Sequence, residues 1–427
     1  MTKPAAASPR IKPDLDLARR MFQELESGTR VGRGIVRASY GTGENLAHQL
    51  AGRVARELGL EIETDHALNL YMTLPGRRRE LPRILVGSHM DSVPQGGNYD
   101  GAAGVVAGLS ALAGLRSLGI LPQRDVTVMA IRAEEAAWFN SAYIGSHAAF
   151  GRLSPEALAV RRSDTKRTLA EHIAEAGGDA VALERGEAHL RPDRIAAFIE
   201  VHIEQGPVLE ECSLPVGIVT GIRGCLRHAD ARCFGAYAHS GAAPRRVRHD
   251  AVAATAELLY RLGETWRDIE NAGADLVFTV GQLNTDPANA GPSKVAGETR
   301  FVLDFRALEE RTLRDASRIA GELASEIGRR HRVRFDLGGT SYSYPAAMDP
   351  TLRRRFRELA ERAGIPTMEL ASGAGHDSAV FATFGVPAGM IFIRNSNGSH
   401  NPDEAMELAD FALAAELLAT YIADAAA

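Results

Sequence analysis

Four apolar runs constrain this chain more than any other feature. Residues 83–87 (RILVG), 125–132 (DVTVMAIR), 195–205 (IAAFIEVHIEQ) and 386–393 (VPAGMIFI) are short, rich in branched aliphatic side chains and bounded by polar or turn-forming segments. Such runs read as buried strands, and the helical spacing between them makes the class α/β. Each run delivers imidazoles or carboxylates at its end. His89 and Asp91 follow the first, with Asp100 beyond the glycine-rich turn of GSHMDSVPQGGNYDG (87–101). Glu134 and Glu135 follow the second, His202 and Glu204 close the third, and NSNGSHNPDE (395–404) places His400 after the fourth. Ligands in open α/β sheets bind beyond the carboxyl ends of strands, so one sheet edge can gather residues that are far apart in sequence.

The rest of the chain divides into helices around these strands and one insertion. Residues 1–13 read as a disordered lead, and 14–25 and 43–58 carry apolar residues at helical spacing. Strands are expected at 60–64 and 68–74, a buried helix over 101–119, polar helical structure over 152–193, and helices at 351–363 and 406–425. From about Pro215 the pattern changes. A strand at 228–239, a helix at 250–269, strands at 276–284 and 299–306, a helix at 309–330 and a strand at 332–337 give the order βαββαβ, a ferredoxin-like α+β unit. The division is therefore 1–213 with 338–427 as one discontinuous domain, and 214–337 as a unit inserted into it.

Charge and cysteine content exclude several classes. A net charge of -5 over 427 residues lacks the basic face that phosphate binding needs, so nucleic acid is not an expected partner. The N-terminal MTKPAAASPRIKP has no apolar signal region and no run is long enough to span a membrane, so the chain reads as soluble and cytoplasmic. Three cysteines, Cys212, Cys225 and Cys233, lack CxxC spacing and read as free thiols.

His89, Asp100, Glu135, His202 and His400 are the candidate metal ligands, a nitrogen and oxygen set that suits divalent transition metals. Two ions roughly 3.5–4 Å apart commonly share a carboxylate, and Asp100 is the natural bridge. His89 with His202 and Glu135 with His400 would then serve one ion each. If the Glu134-Glu135 pair stays extended, its side chains point opposite ways, so Glu135 can bind metal while Glu134 faces the substrate as general base. Asp91 fits a carboxylate that orients the His89 imidazole.

At these residues the chain resembles the M20 metallopeptidase superfamily, in its amidase/hydantoinase/carbamoylase branch. The matching pieces are GSHMDSVPQGGNYDG, the Glu134-Glu135 pair, EVHIEQGPVLE (200–210), AHSGAAPRRVRHDA (238–251), FVLDFR (301–306), SGAGHDS (372–378) and SHNPDE (399–404). EVHIEQGPVLE is the piece that separates this branch from ordinary M20 peptidases. The resemblance implies a dimetal exopeptidase-like catalytic domain with the insertion as lid and dimerisation domain, hence a homodimer. It implies two divalent ions, zinc the usual metal and manganese, nickel or cobalt seen in relatives. It implies a small anionic carbamoyl or ureido substrate, with Gln205, His239, Arg306 and His376 at the substrate or transition state. Arg306 can hold a carboxylate bidentately and His239 can donate to a developing oxyanion.

The chain departs from the branch in three places. SKVAG (293–297) replaces an NVVPG-like segment, so a substrate-binding Asn is missing or is supplied by Asn289. Ala136-Ala137 follows the Glu pair where Gly-Ser is common, and His147 stands where Arg is common. A dipeptide or N-acyl amino acid hydrolase of the same superfamily is the alternative reading. A non-catalytic metal-binding protein would be expected to lose Glu134 or a ligand, and all are present.

Overall fold

The computed structural model describes residues 10–425. The chain divides into two compact units: one runs to Thr220 and resumes at Met348, and the other is Gly221–Ala347. The sequence boundaries of 214 and 337 differ from these because Val216–Ile222 is a strand whose first residues pair with Ala388–Ile393. Residues 340–343 also form a strand on Gly224–Phe234, after the chain reverses at Gly338.

In the first unit the four apolar runs become adjacent parallel strands, in the order Ala388–Ile393, Ile195–Ile203, Arg83–His89, Val126–Ile131. Antiparallel strands extend the sheet at either side, Val216–Ile222 next to Ala388–Ile393, and Leu70–Leu74 followed by Glu61–Thr64 next to Val126–Ile131. The two central strands are buried along almost their whole length, as expected of strands covered on both faces. The helix Ala102–Ser117 is buried from Ala102 to Leu115. Its glycines 104, 108 and 114 cost about 1 kcal/mol each in helix propensity. Burial of Val105, Val106, Leu109, Leu112 and Leu115, at about 1.5–3 kcal/mol each, outweighs that loss. Gly104 is required by contact, since a Cβ there would lie 2.3 Å from the Val201 carbonyl oxygen of the strand beneath.

The disordered lead expected over 1–13 is corrected in part. Residues 1–9 lie outside the described residues, but Ile11 is fully buried, and Asp14 caps the helix Leu15–Thr29 by accepting from Leu17 N. Residues 152–193 carry three short helices, Pro155–Ala159, Leu169–Ala176 and Ala180–Glu184. Part of SGAGHDS, which reads as a loop, is the start of the helix Asp377–Thr383.

The second unit has an antiparallel sheet in the order Val277–Thr279, Glu298–Ala307, Gly224–Phe234, Arg334–Asp336. With the helices Ala251–Asn271 and Glu310–His331 packed on a core that includes Leu258, Phe278, Phe301, Phe305 and Leu313, this is the ferredoxin-like arrangement. Two strands differ from expectation. The run 228–239 stops at Phe234, and the next residue, Gly235, passes so close to His249 that a Cβ would lie 2.1 Å from its carbonyl oxygen. Ala238–His239 pairs instead with Lys294–Val295. The run 276–284 is broken into Val277–Thr279 and Leu283–Thr285, both paired with Glu298–Ala307. Among the described residues no helix is long and apolar enough to cross a membrane, and the three cysteines are free thiols.

Candidate active site

The parallel strands end at one edge of the first unit, and their carboxyl ends bring the acidic and imidazole residues together. His89 is the last residue of its strand and His202 the last but one of the neighbouring strand. Asp100 lies between them, its Oδ1 3.4 Å from His89 Nε2 and 3.2 Å from His202 Nε2. Its Oδ2 lies 3.3 Å from His400 Nε2, and the same nitrogen is 3.4 Å from Glu135 Oε1. Asp100 thus belongs to two ligand-like groups, one with His89 and His202 and one with Glu135 and His400; a third joins His89, Glu134 and Glu135.

Backbone conformation sets this arrangement. Ala133, Gln205 and His400 all have left-handed φ without being glycine, at 52, 63 and 60°. Each costs of order 1 kcal/mol or more, and such positions persist where surrounding contacts fix them. Gly101, at φ 66°, lies under the His89 ring, where a Cβ would come within 2.5 Å of Cε1 and Nδ1. The left-handed turn at Ala133 is held by buried Glu44, which accepts from Ala133 N at 2.8 Å and pairs with Arg132 at 2.8 Å. The strand therefore ends at Ile131, and the Glu pair lies on a turn leading into the helix Ala136–Phe139.

Asp91 is fully buried and ties three parts of the site together. Its Oδ1 lies 3.2 Å from His89 Nδ1 and accepts from Glu134 N at 3.1 Å; its Oδ2 accepts from Glu135 N at 3.2 Å and Ser39 Oγ at 2.6 Å. The proton on Nδ1 then faces Asp91, and the His89 Nε2 lone pair faces Asp100. His202 is oriented likewise, with Nδ1 2.8 Å from the Ile203 carbonyl oxygen.

Electrostatics follow from this crowding. Burial works against the Asp100 charge, but His202, His400 and His89 together hold its carboxyl well below the usual range. Asp100 and Glu135 push His400 up to about 10. Burial raises Glu134 well above the usual carboxylate range, with Glu135, Asp377 and Asp91 adding to it against the opposing pull of His89. Asp377 reaches about 8, through burial and then Glu200.

Gln205 and His376 lie in the same unit. Gln205 Nε2 donates to Asp100 Oδ2 at 2.8 Å, while its Oε1 is buried without a hydrogen-bond partner. His376 is buried, its Nε2 2.9 Å from Ser372 Oγ and its ring edge-on to His202. His239, Asn289 and Arg306 belong to the second unit. There His239 Nδ1 accepts from Gly241 N and Ala242 N, Asn289 Nδ2 donates to Asp286, and Arg306 Nε donates to Asp304 at 3.0 Å. His147, expected as a departure at the site, has its ring 6.2 Å from that of Phe384 and 6.5 Å from that of Tyr143.

Sequence reasoning passed over three residues that shape this edge. Arg37, fully buried, donates from Nε to the Met90 carbonyl at 2.8 Å and from Nη2 to the Asp100 carbonyl at 3.1 Å, bracing both ends of the glycine-rich turn. Glu404 accepts from Tyr99 N and Asp100 N, and Ser399 Oγ lies between Glu404 and Asp100 Oδ2. Glu404 and Ser399 stand in the SHNPDE piece and could have been singled out there; nothing in the run GIVRASY marks Arg37.

The chain belongs to peptidase family M20/M25/M40, whose description matches residues 85–424. That membership makes it a hydrolase of amide C–N bonds, in a metal-dependent family. Among its relatives, an N-carbamoyl-L-amino acid amidohydrolase of Geobacillus stearothermophilus is 34% identical over 403 residues, which cover 94% of this chain and 96% of that one. The allantoate amidohydrolase of Escherichia coli K12 is 32% identical, covering 85% and 86%. A crystal structure of an amidase of the hydantoinase/carbamoylase family from Burkholderia multivorans is similar with a TM-score of 0.88 and 27% identity, covering 98% and 99%.

Proposed function

We propose that this chain hydrolyses the C–N bond of a linear carbamoyl or ureido substrate, with two divalent ions held at the Asp100 edge. One observation carries the reading: Asp100 Oδ1 is buried with no hydrogen-bond partner, yet two imidazole nitrogens face it within 3.4 Å. A buried acceptor left without a partner costs about 1–3 kcal/mol, and a cation shared with the two imidazoles removes that cost. His89, Asp100 and His202 would hold one ion, and Asp100, Glu135 and His400 the other. The imidazole and carboxylate set suits zinc, and also manganese, nickel or cobalt. When bound, such ions polarise the substrate carbonyl and acidify water.

Glu134 takes a proton from the attacking water and passes it to the leaving nitrogen. Burial raises its pKa well above the usual carboxylate range, and a carboxyl group positioned in this way can serve as base and then acid. Gln205, fixed through Asp100, leaves Oε1 to accept from a substrate N–H. In the second unit, Arg306 is the guanidinium for a substrate carboxylate, and Asn289 supplies the amide that SKVAG lacks. His239 accepts two backbone N–H groups on Nδ1, which leaves the proton on Nε2 as an oxyanion donor. His376, buried and held well below the usual histidine range by burial and then by His202, acts as a neutral imidazole at the substrate.

Relatives that act on N-carbamoyl-L-amino acids and allantoate support the substrate class. The inserted unit acts as lid and pairs two copies of the chain; exposed Val252, Tyr260 and Leu283 on that unit support the pairing, which light scattering reads directly. The test of function is ammonia release from N-carbamoyl amino acids and allantoate by protein loaded with zinc or manganese. Activity is expected, and Glu134→Gln is expected to lower kcat by about 10²–10⁴-fold with metal content unchanged. Absence of release from every ureido compound, or full activity of Glu134→Gln, overturns the reading.

A further inference from the structure

Tyr143 is a polar group at this edge that the reaction above leaves without a task. It precedes the short helix Ile144–Ala149 with a left-handed backbone, φ 59°, and its N–H donates to the Glu134 carbonyl at 2.9 Å. Its position is therefore tied to the backbone of the base. On the other side, the same helix meets the glycine-rich loop: the Ser146 hydroxyl donates to Asp377, and a Cβ at Gly375 would lie 1.7 Å from the Tyr143 hydroxyl oxygen. A side chain at 375 would displace that oxygen from its present place. Tyr143 is half-buried, and its hydroxyl oxygen is not among the fully buried unpartnered polar atoms of the described residues, so a ligand can reach it. Among the described residues, no side chain or backbone group hydrogen-bonds this hydroxyl.

We propose that Tyr143 is a specificity-determining residue whose hydroxyl hydrogen-bonds the terminal amino group of a carbamoyl substrate. The proposal rests on the carbamoyl or ureido reading above. A carbamoyl group and an acetyl group have nearly the same shape, with NH2 in one where the other has CH3. A phenol oxygen with no protein partner is satisfied by the N–H of the first and left unpaired by the methyl of the second. Burial, then Glu134 and Asp377, hold the phenol well above its usual range, so it remains a protonated donor and acceptor at neutral pH.

The test compares wild type with Tyr143→Phe on an N-carbamoyl amino acid as substrate, with the N-acetyl derivative of the same amino acid as competitive inhibitor. Loss of one neutral hydrogen bond is expected to raise KM for the carbamoyl substrate by about 3–10-fold with kcat retained. The inhibition constant of the acetyl derivative is expected to stay the same, as is the melting temperature, since no hydrogen bond within the protein is lost. Equal weakening of both ligands, or no change in either, overturns the proposal. A wild-type protein that releases no ammonia from the carbamoyl substrate overturns the functional reading itself, a result obtained before the variant is compared.

Discussion

Asp91→Asn isolates how far this site depends on one buried carboxylate that touches no substrate. Asp91 has 0% exposure and takes four polar contacts, from His89 Nδ1, Glu134 N, Glu135 N and Ser39 Oγ. Asparagine turns one oxygen into NH2. If the amide nitrogen replaces Oδ1, it faces two N–H groups, from Glu134 and His89. If it replaces Oδ2, it faces the Glu135 N–H and the Ser39 hydroxyl, which can turn to accept. The second placement is cheaper, and it leaves one backbone N–H, that of Glu135, without an acceptor. A buried donor without a partner costs about 1–3 kcal/mol, and the contacts that survive lose the strength of an ionised acceptor. The loss falls on the backbone of Glu135 and, through the lost charge, on His89, whose Nδ1 keeps its hydrogen bond to the Asp91 backbone carbonyl at 3.2 Å. Partners of this kind typically change metal affinity by about 10–100-fold. The variant is therefore expected to melt below wild type and to bind zinc about 10–100-fold more weakly in a competition titration against a chromogenic chelator. Unchanged zinc affinity with an unchanged melting temperature would show that Asp91 does not hold the ligands in place, and the orientation argument would fail.

Two further outcomes follow from the same structure. Gly101→Ala places a Cβ within 2.5 Å of the His89 ring at a φ of 66°, so the ring or the turn must shift. A loss of at least about 1–2 kcal/mol is expected from the backbone conformation alone. Thermal melting together with metal content checks it, and a variant with both intact refutes the close approach. His48, buried on the helix Thr42–Glu57, has its pKa held well below 6.5 by burial and then by Arg132. The unfolded chain then binds the extra proton first, so this contribution to stability is complete above pH 6.5 and is lost as pH falls below it, at up to about 1.4 kcal/mol per unit. His48→Phe is expected to flatten the stability curve between pH 6.5 and 5 relative to wild type; parallel curves in urea unfolding would refute it.

The sequence by itself determined the strands and what stands at their ends. Continuous apolar runs are expected to be buried, and a residue at the end of a buried strand comes out at the sheet edge, so the sequence alone assigns His89, Glu134, Glu135 and His202 to one place. The ferredoxin-like order of the insertion was legible for the same reason, since apolar periodicity is local. Tertiary structure decided the rest. Strand ends at Phe234 and the break between Thr279 and Leu283 depend on contacts from distant segments, which no local pattern carries. The order of the central strands, with His89 next to His202 and Asp100 between them, is a matter of pairing across more than 100 residues. So too are the buried Arg37 that braces the glycine-rich turn, the Asp91 carboxylate shared by His89 and the Glu pair, and the phenol of Tyr143 against Gly375. A buried polar group is recognisable only by its partners, and those partners become neighbours only when the chain has folded.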